Sequence, residues 1–180
     1  MRATYLLLLG AIGLLGACSP TLTPFSRELY ETQNWTDNDL KRVQFYLSDD
    51  LTIYRNIDED SRVNISSGEI KIRNGRKVQQ IHFRRGTPGV FLFRPKDDHF
   101  AISFENKDDT HYLMFGPNPK ISGEYQLLAS EWNRRSGTVT YAGEKFQTDS
   151  DVIPRLLVNL KREGSYKQVS RTASGRKVKG

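Results

Sequence analysis

The sequence predicts a mainly β protein: a single antiparallel β-sandwich or barrel-like domain with one N-terminal α-helix and a flexible basic C-terminal tail. Three observations carry that reading. From Leu51 onward, short runs of β-branched and aromatic residues alternate with turn residues, at about the 8 to 12 residue spacing of sandwiches and barrels. Asn74-Gly75 stands between two such runs and is the strongest short hairpin signal, because both residues tolerate positive φ. The 180 residues, 37% of them hydrophobic, suffice for one core, and neither a repeat nor a second linker divides them.

The elements follow in order. Arg2 precedes an apolar run over residues 3–17. At about 1.5 Å per helical residue this run covers roughly 22 Å, short of the ~30 Å hydrocarbon core. A basic start and a short apolar stretch ending in small residues describe an export signal. Residues 18–35, with Pro20 and Pro24 among several Ser and Thr, are expected to be a tether. Thr36 and Asp39 form a capping-box pattern, and Leu40, Val43 and Leu47 fall at i, i+3 and i+7. That spacing predicts a helix of about three turns with one apolar face, with Trp35 placed to staple its start.

Residues 36–160 are read as the β-rich domain that this helix opens. Strands are expected over 51–57, 62–65, 69–73 and 77–84. The run 90–93, apolar on both faces, is expected to be a central strand. Phe100, Ile102 and Phe104 alternate with Ala101, Ser103 and Glu105, the pattern of a half-buried strand. A two-sided strand over 112–115 should end at Gly116-Pro117-Asn118-Pro119. Runs at 125–132 and 138–141 flank Ser136-Gly137, residues 145–148 follow Ala142-Gly143, and Leu156, Val158 and Leu160 alternate in a last strand or a helix.

Charge is unevenly placed. Residues 161–180 carry Lys161, Arg162, Lys167, Arg171, Arg176, Lys177 and Lys179 against Glu163 alone, so residues 18–160 are close to neutral, about −1. The tail has little to bury. It reads either as a solvated end or as an electrostatic arm for anionic lipid, anionic polymer or an acidic patch on a partner.

The apolar run ends in Leu15-Gly16-Ala17-Cys18, which resembles the lipobox of bacterial lipoproteins. The resemblance implies removal of residues 1–17, acylation of the Cys18 thiol and acylation of the new amino terminus. Several acyl chains together hold a protein on a bilayer, and an unpaired thiol in an exported protein would otherwise be a liability. Ser19 in place of aspartate implies delivery to the outer membrane, and no acidic cluster follows to direct the chain to the cell surface. The periplasmic face of the outer membrane is therefore the expected location, and nucleic acid is not an expected partner. The body resembles small uncharacterised lipoproteins of Bacteroidota, a resemblance that implies no activity.

Little chemistry is legible. The only cysteine belongs to the lipobox, there is no Gly-x-Ser-x-Gly elbow, and no metalloprotease helix, EF-hand loop or phosphate-cradling loop occurs. His82, His99 and His111 are the only histidines. His99 follows Asp97-Asp98 and His111 follows Asp108-Asp109. Such a set would build a metal or acid/base site if it converged, but Asp pairs are equally turn residues. No catalytic residue, metal or cofactor beyond lipid on Cys18 is assigned. The expected role is a non-enzymatic accessory or scaffold subunit of a cell-envelope complex for secretion, export or outer-membrane assembly. The alternative is a periplasmic lipoprotein that binds, or binds and hydrolyses, carbohydrate or cell wall.

Overall fold

A computed structural model of the chain describes residues 21–57, 68–96, 98–133, 136–149 and 152–160. The signal, Cys18, the expected strand over 62–65, Asp97 and the tail with its seven basic residues lie outside these. The protein is mainly β, two antiparallel sheets forming a sandwich-like domain. Its strands are β1 (Thr23–Pro24), β2 (Phe45–Leu47), β3 (Leu51–Asn56), β4 (Glu69–Arg73), β5 (Arg76–Phe83), β6 (Pro88–Lys96), β7 (His99–Ser103), β8 (Leu113–Asn118), β9 (Glu124–Leu127), β10 (Glu131–Asn133), β11 (Ser136–Tyr141), β12 (Glu144–Asp149) and β13 (Leu156–Val158). Seven strands run in the order β1-β13-β2-β6-β7-β8-β9, and six in the order β10-β11-β12-β3-β5-β4.

The seven-stranded sheet curls until its ends meet. The Tyr125 N–H of β9 donates to the Phe25 carbonyl at 2.9 Å and the Arg27 N–H to Gly123 at 3.0 Å, while Leu127 N–H donates to Pro154 at 2.8 Å. Closure satisfies edge groups that would otherwise be left bare. Inside, Phe25 is fully buried and lies between the rings of Tyr30, Trp35, Phe45, Phe100 and Tyr125. The core continues without a break onto the six-stranded sheet through Leu51, Ile53, Ile81, Phe83, Val139 and Phe146.

The N-terminal segment corrects two expectations. Residues 23–35 are no tether: β1 pairs with β13, and helix α1 (Arg27–Gln33) follows Phe25. Ser26 caps α1 by accepting the Leu29 N–H at 3.2 Å, and Asn34 ends it with φ 48°. The capping box at Thr36 does form, with the Thr36 N–H donating to Asp39 Oδ2 at 2.9 Å and the Asp39 N–H to Thr36 Oγ1 at 3.3 Å. The helix it opens, α2 (Asp37–Leu40), lasts one turn. Phe45, Tyr46 and Leu47 instead fill the gap between β13 and β6. Leu40, Val43 and Leu47 are all buried, so the helical spacing marked real core positions and misread the backbone between them. Ladder bonds to two neighbouring strands outweigh a weak local preference.

Burial was also misassigned on two strands. In β6, which is central as expected, Val90 is 46% and Phe93 40% exposed, so its second apolar face is open. In β7, residues 100–103 are buried on both faces, because the loop after it folds back and the His111 carbonyl accepts the Ser103 hydroxyl at 2.7 Å. Gly116-Pro117-Asn118 does not stop β8 but pairs with β9. Residues 125–132 divide into β9 and β10, and Gly137 lies within β11, opposite Trp132, rather than in a turn. The Asn74-Gly75 hairpin forms as expected, with φ 48° and 76°, and Ala142-Gly143 turns likewise with 52° and 77°.

Candidate functional site

Where the outer face of β7 and β8 is crossed by residues 128–130, the two sheets enclose a groove of about 480 Å³, lined by His99, Tyr112, Met114, Leu128 and Val139 among others. Alternation along β8 sends Leu113 and Phe115 into the core, which leaves Met114 for the opposite face. The crossing segment is fixed at two points. Leu128 N–H donates to the Met114 carbonyl at 2.8 Å, and Ser130 N–H donates to Thr138 at 2.9 Å. It crosses close because residue 116 is glycine: a Cβ there would stand 2.9 Å from Leu128 Cδ1.

The apolar surface does not stop at the groove. Tyr112 meets the Phe93 ring edge-on at 5.1 Å, and Phe93 with Val90 extends the exposed apolar face along β6. Among the described residues the groove lining offers one imidazole, one phenol and the hydroxyls of Ser130, Thr138 and Thr140, but no carboxylate. His99 Nδ1 is buried there without a hydrogen-bond partner. This lining suits van der Waals contact with an apolar or aromatic group, with hydroxyls at its rim to accept or donate hydrogen bonds.

The other histidines lie elsewhere, so the convergence that a metal or acid/base site needs is not met. Among the described residues no three His, Cys, Asp or Glu gather as a metal would require. His82 Nδ1 lies 2.9 Å from the Thr52 hydroxyl on an exposed strand face. His111 is buried in the β7–β8 loop, with Nδ1 2.8 Å from Asp108 Oδ1. This carboxylate–imidazole pair resembles half of a triad in geometry alone. No nucleophile completes it: Nε2 has no hydrogen-bond partner, and the ring stands edge-on to Tyr141 at 5.5 Å.

The His111 loop acts instead as a clamp between the sheets. Ala142 N–H donates to the Thr110 carbonyl at 3.0 Å, and the Tyr141 hydroxyl donates to Glu105. Burial, and then that carboxylate acceptor, push the Tyr141 phenol well above its ordinary value. Asp108 is held at about 2, below its usual 3.8, chiefly by the Thr110 hydroxyl, then by His111 and the Thr110 N–H.

A depressed carboxyl stabilises the fold above its unfolded-state value and loses that contribution as pH falls through the folded one. Asp108→Asn should therefore lower the thermal midpoint at neutral pH and flatten the acid limb, the gap to the parent closing as pH falls from about 4 to about 2. Thermal midpoints measured across that range, parent against variant, check this. An unchanged acid limb would remove Asp108 from the clamp.

A second cavity, of about 350 Å³, lies on the outer face of the six-stranded sheet between Tyr54, Asn56, Arg73, Asn74, Arg76 and Val78. Arg73 lies over the Tyr54 ring at 4.3 Å and pairs with Asp149 at 2.6 Å. That contact and its charge raise the guanidinium's proton affinity further. Arg76 is directly opposite Arg73 across the hairpin.

Neither cavity was legible in the sequence, which singled out histidines and Asp pairs. The available signal was the second apolar face of residues 90–93, read as buried when it was in fact exposed. No protein family, no curated protein and no solved structure matches this chain. The fold and the sites therefore carry whatever can be said of its role.

Proposed function

We propose that the chain is a non-enzymatic lipoprotein of the outer membrane, facing the periplasm. There it serves as an accessory or scaffold subunit of a cell-envelope complex for secretion, export or outer-membrane assembly. The observation that carries this reading is the open apolar face formed by Val90, Phe93 and the groove behind Tyr112 and Met114. Exposed aromatic and aliphatic groups beside a groove mark interaction sites more often than chemistry.

The N-terminus supports it too. With Cys18 acylated, only five residue steps separate the lipid from β1 at Thr23. At no more than about 3.6 Å each they span roughly 18 Å. The domain would sit against the bilayer rather than range across the periplasm, and its partner would be a membrane protein within that reach. The basic tail would add electrostatic contact.

A second reading, carbohydrate binding, is favoured by the Tyr54 cavity. A ring, two guanidiniums and two amides there suit an acidic saccharide.

Site-specific photo-crosslinking in intact cells separates the two. A benzophenone side chain at Phe93 should yield one adduct with an integral outer-membrane protein that also co-purifies stoichiometrically in detergent. Adducts with saccharide from position 54, and none with protein from position 93, would replace the first reading by the second. Monomeric recovery with no adduct at either position would defeat both.

A further inference from the structure

Strand β4 ends the six-stranded sheet among the described residues, and all five of its residues are exposed. The two-residue turn at Asn74-Gly75 closes on the Arg73–Arg76 pair, and the register with β5 runs unbroken from there to Glu69–Gln80. In such a hairpin the closing pair and every second pair beyond it exchange both backbone bonds. Glu69, Lys71 and Arg73 thus commit their N–H and C=O groups to β5, while Ile70 and Ile72 turn theirs to the edge that no described strand covers.

The side chains of Ile70 and Ile72 share the face of Gln79, Ile81 and Phe83, which is the core face of β5 carried past the end of the core. They are 55% and 78% exposed. Neither proline nor bulge, two of the usual protections of an edge, interrupts the strand.

The edge is self-complementary. Reading along the opposite face, its charges run Glu69, Lys71, Arg73, acidic at one end and basic at the other. A second copy laid antiparallel with Ile70 opposite its own counterpart sets Glu69 against Lys71 twice and places each Ile72 beside a Gly68. Moving the centre to Lys71 keeps two unlike pairs, Glu69 against Arg73, but adds lysine against lysine between them. Moving it to Ile72 sets Lys71 against Arg73. Like charges directly opposite are destabilising and unlike charges favourable, so the charge order selects the first register.

We infer that two copies of this chain pair through β4, antiparallel about Ile70, making one continuous sheet across a twofold axis. The inference does not depend on which partner occupies the Phe93 face.

Disulfide trapping in the full chain tests it, because it reads geometry even where pairing is weak. Directly opposed, hydrogen-bonded residues stand about 5.5 Å apart at Cα, within the range a disulfide spans. Under mild oxidation, Ile70→Cys should give a reducible dimer at roughly tenfold the yield of Ile72→Cys, whose counterpart lies too far away in this register. The unsubstituted chain, carrying Cys18 alone, sets the background. Adding Glu69→Lys to Ile70→Cys should cut the yield several-fold by opposing like charges, and adding Lys71→Glu as well should restore it. Equal yields at positions 70 and 72, a yield at 70 no higher than background, or no rescue by the double charge reversal would each overturn the inference.

Discussion

Replacing Phe25 by alanine is expected to remove about 3–5 kcal/mol of folding free energy, the range for truncating a fully buried aromatic side chain. The domain as a whole should hold roughly 5–15 kcal/mol. Phe25 is at the upper end of that cost for two reasons. It touches five other rings, including Trp35 stacked at 6.0 Å and Tyr125 at 4.7 Å, so truncation removes contacts on every side. Its backbone is also the seam of the barrel, donating to Leu156 and accepting from Tyr125, both at 2.9 Å.

Urea or thermal unfolding of the variant should show a midpoint lowered by roughly 10 °C with the transition still cooperative. A chain shortened to begin at Thr36 should fare worse, since it opens the seam outright. If that shortened chain were as stable as the parent, residues 23–35 would be a tether after all, and the closed barrel would be wrong.

Changing Cys18 to serine should release the protein from the membrane. Burying acyl chains is worth about 0.8 kcal/mol per methylene, and one chain alone holds a protein only marginally, so the two or more implied by the lipobox give stable anchoring. The parent should sediment with the outer membrane, begin at residue 18 and carry the added lipid mass. The variant should remain unlipidated. It should also fold normally, because Cys18 precedes the first strand, which begins at Thr23. An intact Met1, or a free thiol on the purified parent, would sink the lipoprotein reading and the proposed location with it.

Much of the β domain was legible because its signals are local. Asn74-Gly75 and Ala142-Gly143 turned where their positive φ permits, and the runs at 51–57 and 69–73 became β3 and β4. The apolar positions Leu40, Val43, Phe100 and Ile102 are buried in the core. What could not be read was set by distant partners. Phe45, Tyr46 and Leu47 became a strand because β13 and β6 flank them, and no pattern within a window of ten residues reports that. Phe25 sat among prolines and serines with nothing nearby to mark it as a barrel seam. The histidines drew attention because their chemistry is distinctive, yet His111 serves a clamp and His99 lines an apolar groove.

The sequence by itself determined the strand-rich class, the hairpin turns, most core positions and the placement of charge in the last twenty residues. These depend on side-chain period, φ preference and composition, all of which act between near neighbours. The tertiary structure alone decided that the seven-stranded sheet closes, that Val90 and Phe93 face outward, and that β4 ends its sheet among the described residues with Ile70 and Ile72 exposed. An apolar side chain is equally apolar inside or out. Which face of a strand is covered depends on where the rest of the chain is placed, and that is fixed only when residues far apart in sequence compete for the same edge.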